Sequence, residues 1–153
     1  MKRFFLLLYI LSFLMGYGIQ YPDYEMSQKW NVLYDYDDIW VAWMETPDID
    51  WCRTISTLPF TVDRISEMIE DKGNYYQIFD RVISSEVISD NIVHIRIDMP
   101  FPMSDRDYIV VYVVKKTDGA ISYKFEAVKD RMTQDSKGSI RLVNAAGEWY
   151  LRK

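Results

Sequence analysis

Apolar and polar side chains alternate along two segments in the second half of the chain, residues 92–98 (IVHIRID) and 121–129 (ISYKFEAVK). Successive side chains of a strand point to opposite faces of a sheet, so this pattern predicts strands with one apolar face and one solvated face. β-Branched and aromatic residues predict further strands at residues 38–45, 50–58, 80–88, 105–116, 138–143 and 148–151. Short turn sequences such as Thr117-Asp118-Gly119 separate the strands, which is typical of an antiparallel meander.

One segment instead repeats its apolar residues at the spacing of a helix. In residues 62–69 they lie on one helical face, and Thr61 stands where an N-terminal cap is expected. Gly73-Asn74 is expected to end this helix, and residues 23–30 are compatible with one or two further helical turns. Few helices and many strands place the chain in the α+β class, with one long antiparallel sheet.

The first 18 residues have the pattern of a secretory signal peptide. Lys2 and Arg3 precede an apolar run at residues 4–15, and Gly16 and Gly18 supply the small residues of a cleavage site. The run is shorter than a segment that spans a bilayer, which needs about 17–25 residues. We therefore expect export to the periplasm or the cell exterior, with cleavage after Gly18. The alternative is an uncleaved segment that anchors the protein in a membrane.

The remaining residues, 19–153, have the length of one domain. Composition narrows the classes of function that this domain can have. In the whole chain of 153 residues, Lys and Arg number 18 against 23 Asp and Glu, and no basic stripe offsets the net charge of -5, so nucleic acid is not an expected partner. One cysteine and one histidine exclude a disulfide framework, a multi-cysteine zinc site and a site built on two imidazoles. Aromatic residues reach 16% and can line either a packed core or a cavity. The composition leaves the oligomeric state open.

No pattern of reactive side chains indicates catalysis or metal binding. His94 lies on the polar face of its strand without a G-x-S-x-G sequence elsewhere, so we interpret it as a surface residue. Cys52 is interpreted as a small buried apolar side chain. Asp35, Asp37 and Asp38 resemble the start of a calcium loop, but the glycine and glutamate that such a loop requires are absent. These aspartates are therefore expected to form a solvated turn, and we expect neither a catalytic residue nor a metal site.

The most informative segment is residues 99–112, MPFPMSDRDYIVVY. Its two prolines cannot continue a strand, so they predict a rigid apolar loop between two strands. Arg106 follows the loop and shares a strand face with Tyr108 and Tyr112 by two-residue alternation. An arginine on a largely apolar face needs a carboxylate, backbone carbonyls or a ligand head group. The structural alternative to a ligand is an ion pair with Asp98, Asp105 or Asp107.

Residues 99–112 resemble the signature of the StAR-related lipid-transfer (START) domains, in which a proline-containing loop leads into an Arg-Asp-aromatic strand. Further segments are similar to this family in order and spacing, and together the resemblance covers nearly all of residues 30–153. These segments are residues 38–44, the opening strand; 61–71, the helix; 92–98, the strand before the loop; and 137–149, the Gly-x-x-Arg strand and Gly-x-Trp turn. The resemblance implies a helix-grip fold, in which a curved antiparallel sheet wraps around a long C-terminal helix and a lipid-sized cavity lies between them.

The resemblance also implies a function without catalysis and without a cofactor. The protein would bind a lipid or another hydrophobic molecule in the cavity and could transfer it during transient membrane contact. Phe101 and Met103 of the apolar loop would touch the bilayer, and Arg106 with nearby tyrosine hydroxyls would orient the polar end of the ligand. The expected ligand-binding residues are Ile95, Arg106, Tyr108, Tyr112, Tyr123 and Phe125.

Two departures from the family limit what the resemblance implies. In some members the arginine pairs with an acidic residue, and Ile95 occupies that position here, so sterol specificity is not carried over. The family also continues past the Gly-x-Trp strand with another strand and the closing helix, whereas this sequence stops at Lys153. We therefore expect a C-terminally truncated sequence, with a naturally short variant as the alternative, because an open apolar face is a liability in water.

Two other classes of function compete with lipid binding. A helix-grip enzyme acting on an aromatic or polyketide-like substrate would need an acid–base group in its cavity. A structural module would fill the same space with packed side chains and leave no cavity.

We predict that the exported protein begins near Ile19, because a signal peptidase cleaves after a small residue such as Gly18. N-terminal sequencing of protein recovered from outside the cytoplasm measures this directly. Recovery only from the cytoplasm, with Met1 intact, would contradict the prediction of export.

Overall fold

The computed structural model describes residues 19–23, 29–47, 49–129 and 137–153. The predicted signal peptide at residues 1–18, and most of the helical turns predicted at 23–30, lie outside the described residues. The chain divides into two compact units, the first ending at Thr57 and the second spanning Leu58–Lys153. Each unit contains one sheet, and each is described by itself.

The first unit is a three-stranded antiparallel sheet in the order β1-β2-β3. Its strands are β1 (Asn31–Tyr36), β2 (Ile39–Met44) and β3 (Trp51–Ser56). Asp37 and Asp38 form the turn between β1 and β2 with φ angles of 49° and 60°, a conformation that aspartate tolerates and that a two-residue hairpin requires. Two of the three aspartates expected in a solvated turn, Asp37 and Asp38, therefore form a hairpin turn. The third, Asp35, lies in strand β1, which was not predicted.

Cys52 is exposed, so its interpretation as a buried residue is wrong. Alternation along β3 gives the physical reason, because the two neighbours of Cys52 take the packed face. Trp51 is buried against Tyr21, with 5.2 Å between the ring centroids. The Arg53 guanidinium lies over the Trp30 ring, 4.4 Å from its centroid. Cys52 therefore points to the opposite face.

The second unit is built on a six-stranded sheet whose main path runs β4-β5-β6-β7-β9. Its strands are β4 (Val82–Ser89), β5 (Ile92–Ile97), β6 (Asp105–Thr117), β7 (Ala120–Ala127), β8 (Ser139–Arg141) and β9 (Ala146–Arg152). Neighbours on the main path are antiparallel, and β8 adds a short parallel pairing to the start of β6. The α+β class is confirmed, but the described strands form two sheets rather than one, because the chain between β3 and β4 folds into helices.

Two short α-helices lie between β3 and β4 in the sequence. Helix α1 (Val62–Glu70) begins after Thr61, whose side-chain oxygen accepts a hydrogen bond from the backbone N–H of Arg64 at 3.2 Å, as an N-terminal cap does. Helix α1 ends at Glu70 with Asp71 as its C-terminal cap, which agrees with the helix at residues 61–71 that the family resemblance implies. The helix end expected at Gly73-Asn74 is wrong, because these residues belong to a 3₁₀ turn (Lys72–Asn74) that leads directly into α2 (Tyr75–Ile78). Within the described ranges, no helix has the length and apolar character needed to cross a membrane.

The core of the second unit forms where this helical segment packs on one face of the sheet. Its buried residues are Tyr75, Val93, Ile95, Val110 and Tyr112. The Tyr75 hydroxyl donates a buried hydrogen bond of 2.6 Å to the backbone oxygen of Ile69, the residue that α1 buries most deeply. This bond ties the end of α1 to α2 and holds the Tyr75 ring over the sheet.

Candidate functional site

An apolar pocket of about 170 Å³ lies in the second unit, between the helical segment and the sheet. Eight residues line it, and six of them are aromatic. They are Tyr75, Phe79, Val82, Ile95, Tyr108, Tyr112, Phe125 and Trp149. None of these lining residues, all of them in the described part of the chain, carries a carboxylate, imidazole, ammonium or guanidinium group. Its chemistry suits an apolar molecule.

Strand register explains why four side chains from three neighbouring strands meet at this pocket. Ile95 of β5 lies opposite Tyr108 of β6, and Tyr112 of β6 lies opposite Phe125 of β7, so these four side chains share one face of the sheet. The Tyr112 and Phe125 ring centroids are 5.5 Å apart. The sheet thus supplies one continuous aromatic wall.

The helical segment supplies the facing wall through two aromatic residues. Phe79 stacks on Trp149 of β9, with 5.6 Å between centroids and 18° between planes. Tyr75, one helical turn earlier, meets Phe79 edge-on at 5.3 Å. Offset stacking and edge-to-face contacts are the favoured geometries for aromatic pairs. The pocket is therefore framed by rings that hold one another in place.

Three tyrosine hydroxyls and the indole N–H of Trp149 are the polar side-chain groups of the lining. The Tyr75 hydroxyl donates to a backbone oxygen of α1 and also interacts with the Tyr112 hydroxyl. No residue in the described part of the chain hydrogen-bonds the Tyr108 hydroxyl. Burial raises the pKa of Tyr75 and Tyr112, and it raises the pKa of Tyr108 to about 12. All three hydroxyls are therefore uncharged at neutral pH.

Four of the six residues predicted to bind ligand line this pocket together: Ile95, Tyr108, Tyr112 and Phe125. Tyr123 lies elsewhere, although alternation puts it on the same face as Phe125. It is fully buried against α1, where its hydroxyl donates to Glu70 Oε1 at 2.8 Å. That hydrogen bond is the main reason why the pKa of Glu70 is lowered. Helix α1, and not the pocket, covers this part of the sheet.

Arg106 also lies outside the pocket lining. Its Nη1 donates to the backbone oxygens of Ser104 at 2.5 Å and Asp105 at 3.4 Å, so one nitrogen of this guanidinium is bonded to carbonyls at the base of the apolar loop. The three aspartates considered as ion-pair partners are occupied by other arginines. These pairs are Asp98–Arg81 at 3.0 Å, Asp105–Arg96 at 2.7 Å and Asp107–Arg141 at 2.7 Å. Arg106 is the second residue of β6, so it lies beside the loop. The pocket begins further along the same strand, at Tyr108.

The apolar loop at residues 99–104 exposes the two side chains that were predicted to touch a bilayer. Phe101 is 97% exposed, and Met103 is 47% exposed. The loop itself is held in a turn, because the backbone N–H of Met103 donates to the oxygen of Pro100 at 3.0 Å. Two apolar side chains are therefore presented to solvent on a fixed turn.

Half of the pocket lining was not predicted from the sequence. Tyr75 and Phe79 stand four residues apart, the spacing of neighbours on one helical face, and this spacing could have found them. Trp149 belongs to a predicted strand, residues 148–151, but no sequence signal gives the register that pairs β9 with β7. For Val82, the sequence indicates a place at the start of a strand but nothing that would assign this residue to a pocket.

On the opposite face of β6, the carboxylate of Asp107 joins three strands. Its Oδ2 accepts from Arg141 Nε of β8 at 2.7 Å and lies 2.9 Å from His94 Nε2 of β5, while Asp107 itself is fully buried. The His94 side chain is 14% exposed, so its interpretation as a surface residue is wrong. Burial raises the pKa of Asp107, but the bonds from His94 and Arg141 more than offset this and hold the pKa below its usual value.

The lowered pKa links this cluster to stability. A group whose pKa is depressed on folding stabilises the folded state above its unfolded pKa, which is about 3.9 for aspartate. The stabilisation from Asp107 is therefore lost as the pH falls through its lower folded value.

Comparison with solved structures shows that the fold is START-like. The chain matches a crystal structure of a STAR-related lipid transfer protein (fragment 25-204) from Xanthomonas axonopodis with a TM-score of 0.70 and 26% identity, covering 81% of this chain and 73% of that chain. It also matches the lipid transfer and protein localization domain of human StarD13 (DLC2) with a TM-score of 0.66, covering 80% of this chain and 69% of that chain. At 12% identity, the second match shows the fold alone. No family model and no curated protein sequence matches the chain.

We predict that Arg141→Met lowers the free energy of unfolding by about 3–5 kcal/mol, because it leaves the buried Asp107 carboxylate short of a partner. Arg81→Met is the matched control, since the Arg81–Asp98 pair is 60% and 52% exposed and such pairs contribute about 0–1 kcal/mol. Urea unfolding of both variants at neutral pH measures the difference. Equal losses in the two variants would show that the Asp107 cluster has no special structural role.

Proposed function

We propose that this protein is a non-enzymatic domain that binds a lipid or another hydrophobic molecule, whose apolar part enters the aromatic pocket, and transfers it between membranes. The observation that carries the proposal is a pocket of about 170 Å³ lined by apolar and aromatic side chains on a START-like fold. A similar solved structure, 26% identical, is named a lipid transfer protein. The closeness of fold and the chemistry of the pocket thus favour the same function.

The size of the pocket sets how much of a ligand it takes. Pockets that enclose whole small ligands usually measure about 300–1,000 Å³, whereas an apolar cavity of about 150 Å³ holds benzene. A pocket of about 170 Å³ therefore suits one small ring system, such as a single ring or two fused rings, or one short chain segment. Burial of each methylene group contributes about 0.8 kcal/mol, so hydrophobic burial provides most of the affinity.

The exposed loop at residues 99–104 supports membrane contact as part of the proposal. Phe101 presents nearly all of its side chain to solvent, and Met103 presents about half of its own. Aromatic and other large apolar side chains favour the boundary between head groups and acyl chains. We propose that these two side chains enter that boundary when the protein collects or delivers its ligand.

Export is a further part of the proposal and rests on the sequence. Residues 1–18 carry the positive start, apolar run and small residues of a signal peptide. An exported protein of this kind would meet lipid in the periplasm or outside the cell.

The enzyme alternative receives less support from the pocket. General acid–base catalysis needs a group that exchanges protons near neutral pH, and the titratable groups of the lining in the described residues are tyrosines with raised pKa values. His94 and Asp107 lie on the other face of β6 from Tyr108, by strand alternation. The alternative of a filled structural module is disfavoured by the open space between Phe79 and the sheet.

We predict that Val82→Phe weakens binding of naphthalene, a neutral fluorescent hydrocarbon, by about tenfold or more, because the larger ring occupies the pocket that Val82 lines. Val87→Phe is the matched control on the same strand, since Val87 is exposed and outside the lining. Fluorescence titration measures both affinities, and melting temperatures verify folding. The proposal fails if the parent protein does not bind naphthalene, or if both variants bind it as the parent does.

We predict that Phe101→Asp slows transfer of a pyrene-labelled lipid between phosphatidylcholine vesicles by about tenfold. A charge at this position must approach the acyl region, which is costly for aspartate. The affinity for naphthalene should stay within error of the parent, because Phe101 is outside the pocket lining. Leu58→Asp, at another exposed apolar position, should transfer lipid at the parental rate. A Phe101→Asp protein that transfers normally would remove the loop from the mechanism.

A further inference from the structure

The polar groups of the pocket are unequally engaged. The Tyr75 hydroxyl donates to the Ile69 carbonyl at 2.6 Å. The oxygen of the Tyr75 hydroxyl can therefore act as an acceptor for the Tyr112 hydroxyl. Tyr75 is thus engaged with the backbone of α1, and Tyr112 has a nearby acceptor in Tyr75. The Tyr108 hydroxyl has no hydrogen-bond partner among the described residues, although its ring belongs to the pocket wall. Tyr108 therefore keeps both a donor and an acceptor available.

We propose that the pocket selects an uncharged ligand that ends in a hydroxyl or carbonyl group, and that Tyr108 binds this group. The inference rests on the proposed function and names the ligand class for the same pocket. The register places the Tyr108 side chain on the pocket face of the sheet, because Tyr108 lies opposite Ile95, which is buried in the pocket wall. A ligand oxygen accepts from Tyr108, and a ligand hydroxyl can also donate to the tyrosine oxygen.

Selection against a charged ligand follows from what the lining lacks. A carboxylate or phosphate inside it would lose its hydration without meeting a cation among the described lining residues. The cation of Lys72 lies near the pocket, with Nζ 5.4 Å from the centroid of the Tyr112 ring, but it is outside the lining. Glu70 is close enough to feel the charge of Lys72 and partly offsets it.

Tyrosine suits this role because its hydroxyl keeps its proton in the pocket. Burial raises the pKa of Tyr108 to about 12, so the group donates as a neutral hydroxyl throughout the physiological range. A neutral donor in an apolar wall strongly prefers a ligand that brings an acceptor, since an unmatched polar group is costly to bury.

The experiment compares octanol and octanoate as competitors of bound naphthalene at about pH 8, where a carboxylic acid in water is ionised. Octanol should displace naphthalene at a concentration roughly tenfold or more below that of octanoate. Tyr108→Phe should weaken octanol roughly three- to tenfold, the usual worth of one neutral hydrogen bond. Tyr76→Phe is the matched control, because Tyr76 is exposed and adjacent to a lining residue, and it should leave the octanol affinity at the parental value.

The outcomes separate this inference from the proposed function. If naphthalene binds and is displaced equally well by octanol and octanoate, the pocket does not select an uncharged ligand. Hydrophobic binding, the proposed function, would still be supported. An octanol affinity that is the same in Tyr108→Phe and the parent overturns the role of Tyr108. Octanoate that binds more tightly than octanol, and loses affinity in Lys72→Met, assigns the pocket to an anionic ligand instead. A parent protein that binds none of the three molecules overturns the proposed function itself.

Discussion

The buried carboxylate of Asp107 is the contact on which the second unit depends. It accepts hydrogen bonds across two strand pairings, from His94 of β5 and from Arg141 of β8. An ionised group that is fully buried remains stable only with such partners. Because Asp107 must face these partners, its neighbour Tyr108 must face the other side of β6, toward the pocket. One polar cluster thereby fixes which side chains of the strand are available to a ligand.

The same constraint explains why two separated parts of the sequence resemble one family. The Arg-Asp-aromatic strand supplies Asp107, and the Gly-x-x-Arg strand supplies Arg141, which binds it. The parallel pairing of β8 with β6 brings these residues opposite one another in the sheet. What looks like two motifs in the sequence is one ion pair in the folded protein. A sequence resemblance that rests on this ion pair is therefore evidence for the fold of the sheet. Evidence for the ligand must come from the residues that line the pocket.

Two-residue alternation, together with runs of β-branched and aromatic residues, was sufficient to predict most strands in the described part of the chain. The strand bounds expected from the sequence agree with the observed ones to within two residues, apart from β1, which was missed. The segment of β1, NVLYDY, mixes apolar and acidic residues without a clear period and exposes all six side chains. Strand β1 forms by pairing with β2, and a pairing of this kind cannot be predicted from the local sequence pattern of β1 alone.

The pocket was harder to predict than the sheet. Residues on strands, such as Ile95 and Phe125, followed from alternation and from the family resemblance. Residues from the helical segment did not, because a helix ending at Gly73-Asn74 was expected and Tyr75 and Phe79 then had no assigned structure. Arg106 shows the opposite difficulty. The sequence placed it on the correct strand face, but the direction of a long side chain depends on contacts such as the Ser104 carbonyl.

The account makes the aromatic pocket, and not an exposed apolar surface, the place where a hydrophobic ligand binds. Isotope-filtered NOE spectroscopy on the protein with naphthalene tests this claim most directly. We expect contacts from naphthalene to the ring protons of Phe79, Phe125 and Trp149, which line the pocket. Contacts confined to exposed side chains such as Leu33 and Tyr36 of β1 would contradict the account.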